Sequence, residues 1–311
     1  MTPTYDGCTL CPRACGVDRT AGGRGACGQS ATLRVARASL HRWEEPPLSG
    51  TRGSGTVFFS GCPLRCLYCQ NAAISHGGAG VPVTVEQLTE TYLRLADAGA
   101  HNINLVTATH FLPDVLRSVR EAKKRGVALP FVWNTSGYET VETVRTLVET
   151  DTVQIFLTDF RYTRADTAAA LSAAPDYPAV ARAALREMVQ GVGAPVFDDR
   201  GLMRRGVIVR LLLLPGHLLE AKQALRELWR AYGDAVCLSL MSQYTPRPDL
   251  PAPLDRRVTE AEYRSFVCEA QTLGVTCAYT QEREAAAESY IPPFFDTGLL
   301  VCDPPKAAAT T

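Results

Sequence analysis

Ser54-Gly55-Thr56-Val57-Phe58-Phe59-Ser60-Gly61-Cys62-Pro63-Leu64-Arg65-Cys66-Leu67-Tyr68-Cys69 joins an apolar run of strand length to three cysteines spaced C-x3-C-x2-C. An apolar run that breaks at Gly–Cys reads as a buried strand leaving its sheet through a turn. The pattern then recurs. Apolar runs at 56–60, 103–106, 130–133, 153–157, 207–214 and 236–241 alternate with helical patterns at 85–98, 112–125, 141–149, 180–189 and 218–232. Continuous apolar strands between such helices predict a parallel sheet covered by helices. Six units fall short of the eight that close a barrel. A helical pattern at 259–273 leads to a possible seventh strand at 275–279.

Composition narrows the class. Thirty-two basic and 32 acidic side chains leave no net charge, which argues against a nucleic-acid surface as the main business. No apolar run reaches the roughly 18 residues of a membrane span, and the first 28 residues carry cysteine, glycine and arginine where a leader needs apolar sequence. The expectation is a soluble, cytoplasmic protein. Of 11 cysteines, seven fall within the first 69 positions, and clustered thiols in a reducing compartment more often hold metal than each other. Cys237, Cys268, Cys277 and Cys302 are scattered through apolar sequence and read as ordinary buried residues.

Three thiolates within eight residues, Cys62, Cys66 and Cys69, can wrap one face of a cubane cluster and leave its fourth iron without a protein ligand. A zinc knuckle or three unligated thiols are the alternatives. This triad at the end of a first strand resembles the radical S-adenosylmethionine (SAM) superfamily. The resemblance implies a partial (β/α)6 TIM-like barrel, an α/β fold. It also implies a 4Fe-4S cluster whose open iron is chelated by SAM, and one-electron cleavage of SAM to a 5′-deoxyadenosyl radical. Tyr68 matches the superfamily's usual aromatic near the adenine. The segments 54–62, 102–107 and 134–138 look more narrowly like relatives of pyruvate formate-lyase activating enzyme that carry an N-terminal cysteine motif. That likeness implies hydrogen abstraction from a protein substrate, a glycyl radical enzyme, and a low-potential reductant such as flavodoxin or ferredoxin. Radical modification of a peptide or a small metabolite is the runner-up, and a non-catalytic metal-cluster binding protein the reading from another class.

In such barrels functional groups sit at the carboxyl ends of strands. Thr107 and Thr109, with His110, follow the second strand in place of a glycine-rich motif that holds the cofactor's amino group in relatives. For Thr109 a turn that caps the next helix is an equal alternative. Asn134, Thr135 and Ser136 offer amides and hydroxyls after the third strand. Asp159 and Arg161 replace the family's Asp-x-Lys, and an arginine fork still suits a carboxylate. Arg210, between Val209 and Leu211, must face the interior and needs an anion; Asp159 and the cofactor carboxylate are the expected partners. Gln243 and Tyr244 could face substrate. Glu44 and Glu45 read as a solvated pair without a catalytic role. His41, His76, His101 and His217 lack metal spacing.

Cys8, Cys11, Cys15 and Cys27 form a second group, C-x2-C-x3-C-x11-C, in a segment rich in glycine. Four thiolates can close a tetrahedral site for zinc, a single iron or an iron–sulfur cluster; reduced free thiols are the alternative. A structural role is expected rather than electron relay. The resulting division is a cysteine-rich module and connector at 1–50 without long periodic segments, a barrel at 51–282, and a tail at 283–311 with a frayed end at 306–311.

Overall fold

The computed structural model describes residues 3–247, 249–281, 294 and 296–302. The end at 306–311 and most of the expected tail lie outside the described residues. In chain order the strands are β1 (Arg34–His41), β2 (Ser54–Phe59), β3 (Val81–Pro82), β4 (Ile103–Val106), β5 (Phe131–Thr135), β6 (Ile155–Asp159), β7 (Val196–Phe197), β8 (Met203–Leu212), β9 (Cys237–Met241) and β10 (Ala278–Thr280). The helices are α1 (Pro46–Ser49), α2 (Ala72–Ser75), α3 (Val85–Asp97), α4 (Leu112–Lys124), α5 (Val141–Glu149), α6 (Ala165–Ser172), α7 (Tyr177–Val192), α8 (Leu218–Tyr232) and α9 (Glu260–Thr272). No helix among the described residues is long and apolar enough to cross a membrane.

β2, β4, β5, β6, β8, β9 and β10 pair in that order, all parallel. The expected α/β partial barrel is therefore present, with seven parallel strands instead of six. No pairing among the described residues joins β10 back to β2, so the barrel is open. The far side of β2 is covered by β1, antiparallel, and then by β3. Residues 1–50 thus do contain a long element, contrary to expectation. The strand was hard to read because Arg34 and Arg37 interrupt its apolar pattern and a bulge falls between Val35 and Arg37. The described part of the tail also pairs with it, through Ala38 and Thr297–Leu299 backbone bonds of 3.1 and 2.7 Å.

Alternation along the strands sorts side chains onto two faces. Val57, Leu105, Trp133, Phe156, Val209 and Leu238 pack outward with the helices in one large core. Capping boxes at Thr84/Gln87 and Thr259/Glu262, and the Thr140 hydroxyl on the Thr143 amide, start three of those helices. Val132, Ile155, Leu157, Ile208 and Cys237 point inward, and Leu48 completes their cluster. Leu48 belongs to α1, so the link between β1 and β2 plugs the barrel floor. Asn102 Nδ2 fixes the plug by donating to the Leu48 carbonyl at 2.8 Å.

Two of the four scattered cysteines are not lone residues. Cys237 and Cys277 form a disulfide across neighbouring strands at the floor, where parallel pairing puts them side by side. Cys268 is exposed and Cys302 half-buried, so the expected burial fails for both.

Leu48 is fully buried at this floor. Replacing it with alanine is expected to lower unfolding stability by about 2–5 kcal/mol, the usual range for a large-to-small core change. Chemical denaturation checks it; a variant as stable as the parent would show that α1 is a surface flap.

Candidate functional site

A cavity of ≈ 400 Å³ opens at the carboxyl ends of the strands. Cys62, Cys66, Cys69, Tyr68, Thr107, Asn134, Asp159, Arg161 and Arg210 all line it, as do Ser136 and Gln243. Residues from Cys62 to Gln243 are brought together because each lies in, or shortly after, one of the parallel strands.

The triad loop leaves β2 through Gly61 at φ +86°. A Cβ there would stand 2.5 Å from the Gln29 side chain and 2.7 Å from the Cys27 carbonyl, so glycine is required by both conformation and space. The loop is pinned to the end of α6 by the Leu67 N–H on the Leu171 carbonyl at 2.9 Å. Every thiol of the triad has a polar neighbour. The Leu64 N–H reaches Cys62 Sγ at 3.4 Å, the Ser172 hydroxyl donates to Cys66 Sγ at 2.9 Å, and Ser75 Oγ lies 3.2 Å from Cys69 Sγ. Burial pushes the Cys62 and Cys66 thiols up, which a bound metal reverses by taking the thiolate. Among the described residues no three His, Cys, Asp or Glu side chains stand close enough to enclose a single ion. Three thiols on one wall of a cavity, with donors supplied to the sulfurs, fit a cluster held at three corners.

Arg161 pairs with Asp159 and also donates to Cys66 Sγ at 3.6 Å and Tyr68 Oη at 3.4 Å. Its Nε is buried without a partner. Tyr68, Tyr162 and Ser172 form a hydroxyl chain ending on Cys66, with both oxygen–oxygen distances 2.6 Å. Burial, outweighing the nearby Arg161, pushes the Tyr68 phenol up to about 12, so it stays protonated. Thr107 holds φ +58°, a left-handed conformation that costs a β-branched residue of order 1–3 kcal/mol, and its N–H donates to the Asn134 carbonyl at 2.9 Å.

Two expectations need correction. Thr109 does not reach the cavity; it is buried and donates to Glu139 Oε1 at 2.6 Å, beside Trp133 Nε1 at 3.1 Å. Arg210 does face the interior, but its partners are neither Asp159 nor left to a cofactor. Glu45 accepts from its Nε and Nη2 at 2.7 Å each, and Glu44 pairs with Nη2. Asn104 Nδ2 holds Glu44 Oε1 at 2.9 Å. The glutamates are thus buried, not solvated, because the turn into the plug carries both inside the barrel. Burial opposes the Arg210 charge, yet Glu45 and Glu44 outweigh it and hold its pKa above the usual value.

Tyr244 is a packed aromatic, 6.3 Å from the Tyr68 ring. His110, buried, is pushed down to about 3 by burial and places Nε2 2.7 Å from the Ser60 carbonyl. Sequence reasoning passed over Glu139, Tyr162, Ser172 and Ser75. An acidic residue five positions beyond Asn134, next to an apolar strand, was the available signal for Glu139.

The N-terminal module sits against the triad loop. Arg13 donates to the Pro63 carbonyl at 2.9 Å and Arg65 to the Ala26 carbonyl at 2.9 Å. Buried Arg19 donates to the Gln29 and Ser30 carbonyls at 3.1 and 2.7 Å and to Cys8 Sγ at 3.7 Å. Cys8, Cys11 and Cys27 are buried and Cys15 is half-buried.

Comparison with known proteins follows this geometry. The model of the Radical SAM superfamily matches residues 56–169. An uncharacterized protein of Methanocaldococcus jannaschii is 26% identical over 273 residues, 83% of this chain and 72% of its own length. SuiB of Streptococcus suis aligns over 71% of this chain at 11% identity and TM-score 0.44. HydG, a maturase of the FeFe-hydrogenase, aligns over 70% at 13% identity and TM-score 0.46. The chain spans about half the length of these solved structures, 47% and 48%.

Arg210→Gln should cost about 3–5 kcal/mol of stability in a denaturant titration, since it strands two buried carboxylates. Replacing Arg210, Glu44 and Glu45 together by Met, Gln and Gln should recover most of it; an unaffected single variant would contradict the pairing. Burial raises the Glu139 carboxyl, so the folded state holds its proton more tightly than the unfolded chain. That contribution is present below the ordinary carboxylate range and is lost as pH rises through the folded pKa. Stability of the parent relative to Glu139→Gln should therefore fall as pH rises. Identical pH profiles of melting temperature would refute it.

Proposed function

We propose that this chain, a member of the radical SAM superfamily through residues 56–169, is an enzyme that reductively cleaves SAM and abstracts hydrogen from a protein substrate. The observation that carries the reading is the convergence of Cys62, Cys66 and Cys69 on one cavity, with hydrogen-bonding partners at all three sulfurs and strained Thr107, after the neighbouring strand, lining the same cavity. A 4Fe-4S cluster held there supplies, when bound, one electron for sulfonium cleavage, and the resulting 5′-deoxyadenosyl radical is the hydrogen acceptor.

The chain's own groups divide the remaining work. Ser172 and Arg161 place donors on Cys66, which stabilises added negative charge at that corner. Arg161, already paired with Asp159, keeps Nε unpartnered and is the guanidinium we assign to the cofactor's carboxylate. Thr107 and Asn134 offer backbone and amide groups to the methionine end, and Tyr68 packs the wall beside the triad. Arg210 is a positioning residue: it anchors the plug and closes the cavity floor.

Trp43, 58% exposed on the cavity lining, and Leu67, exposed within the triad loop, favour a polypeptide substrate docking at the mouth. By its likeness to activating enzymes, that polypeptide is a glycyl radical enzyme, with flavodoxin or ferredoxin as reductant in the cytoplasm.

Anaerobic reconstitution with iron and sulfide, followed by dithionite and SAM, should release 5′-deoxyadenosine. Substituting Cys62, Cys66 and Cys69 by alanine should bring release to the background of protein-free controls. Undiminished release from that triple variant would overturn the assignment.

A further inference from the structure

We infer that Cys8, Cys11, Cys15 and Cys27 hold a second iron–sulfur cluster, and that this cluster passes electrons to the one on the triad. The second half of this inference rests on the function proposed above; the first does not.

The four thiols converge. A methyl group placed on Gly25 would lie 3.0 Å from Cys15 Sγ and 3.7 Å from Cys27 Sγ, so the backbone there is glycine because sulfur fills the space on either side. Backbone N–H groups turn toward these sulfurs: Arg13 to Cys11, Val17 and Ala26 to Cys15, Gln29 to Cys27. In three of the four cases the donor is two residues beyond the cysteine. Leu64 stands in the same relation to Cys62 in the triad. Cys8 receives the Arg19 guanidinium instead. A thiol has little use for such donors, whereas a metal-bound thiolate is stabilised by each one. Arg19, 1% exposed, brings a buried positive charge to the same spot, and its other partners, three carbonyls and the faces of Tyr5 and Phe111, are all neutral. A buried guanidinium among carbonyls and a thiol needs an anion, and a cluster of thiolates is one.

The choice of a cluster over a redox-inert ion rests on position: the module is packed directly on the triad loop, where a centre able to carry an electron has a use for the contact.

Position supplies the link. Cys27 carries the carbonyl that Gly61 packs on, and Gly61 is bonded to Cys62. Arg13 and Arg65 clamp the two loops from either side. Electron tunnelling falls steeply with distance, and the two centres are separated by one backbone contact. One electron from an external low-potential flavin or iron–sulfur donor reduces the N-terminal cluster. The same electron moves on to the triad's cluster and returns the first to its oxidised state, with no bond made or broken. This reverses the structural role expected from the sequence, where no contact between the two cysteine groups could be read.

Three anaerobically reconstituted proteins test it: the full-length parent, Cys62/Cys66/Cys69→Ala and Cys8/Cys27→Ala. Each variant should keep half of the parent's iron and acid-labile sulfide if both groups hold clusters of equal size. After dithionite reduction, each should give a simple paramagnetic spectrum, and the parent one broadened by interaction between neighbouring spins. Flavodoxin should reduce the triad's cluster more slowly in Cys8/Cys27→Ala than in the parent. Zinc, or no metal, in the triad-less variant overturns the cluster. A parent spectrum equal to the sum of the two variants, or unchanged reduction kinetics, overturns the link. Should Cys8/Cys27→Ala fail to fold, the metal content of the triad-less variant and the parent's broadening decide. Two interacting clusters without SAM cleavage would sink the proposed function and leave this inference standing.

Discussion

Arg210 puts a permanent positive charge inside a parallel barrel, and much of the architecture follows from the need to neutralise it. Parallel sheets are covered on both faces, so the inner face offers no solvent to a guanidinium. Two carboxylates from residues 165 and 166 positions earlier in the chain meet it. Delivering them requires the β1–β2 link to dive into the barrel floor, which carries Leu48 into the inner core and fixes β1 along β2. The three charges leave one net negative charge at the base of the cavity.

Above that floor, the cavity is organised around the cysteine loop. Parallel strands aim their carboxyl ends at one rim, and the ends of β2, β4, β5 and β6 with the loops after them bring the thiols, Thr107, Asn134 and the Asp159–Arg161 pair to it. Arg161 touches three of these features at once: the acidic partner, a sulfur and the Tyr68 hydroxyl. The chain Tyr68–Tyr162–Ser172 ties the same sulfur to α6, so the triad is held by side chains on two different elements.

The parallel sheet and the triad were legible in the sequence because both are local signals: strand-length apolar runs and close cysteine spacing. What escaped depended on long-range pairing. Glu44 and Glu45 look like a solvated pair until the plug's path is known. Thr109 sits at the correct distance from β4, yet a one-residue difference in direction sends it to Glu139 behind the sheet. Cys237 and Cys277, 40 positions apart, become neighbours only when β10 docks in register on β9. β1 was hidden because a strand with arginines and a bulge lacks clean alternation. Arg161 in place of lysine was readable as a substitution that keeps the charge; its contact with Cys66 was not.

The central claim is that the triad's cluster keeps one iron free for the cofactor. Its most direct test is the paramagnetic spectrum of the reduced Cys8/Cys27→Ala protein, in which only the triad's cluster remains, recorded before and after adding SAM. The account predicts a shifted spectrum on addition, and no shift with buffer alone. A spectrum indifferent to saturating SAM would mean that no iron of this cluster is open to it, and the account would fail.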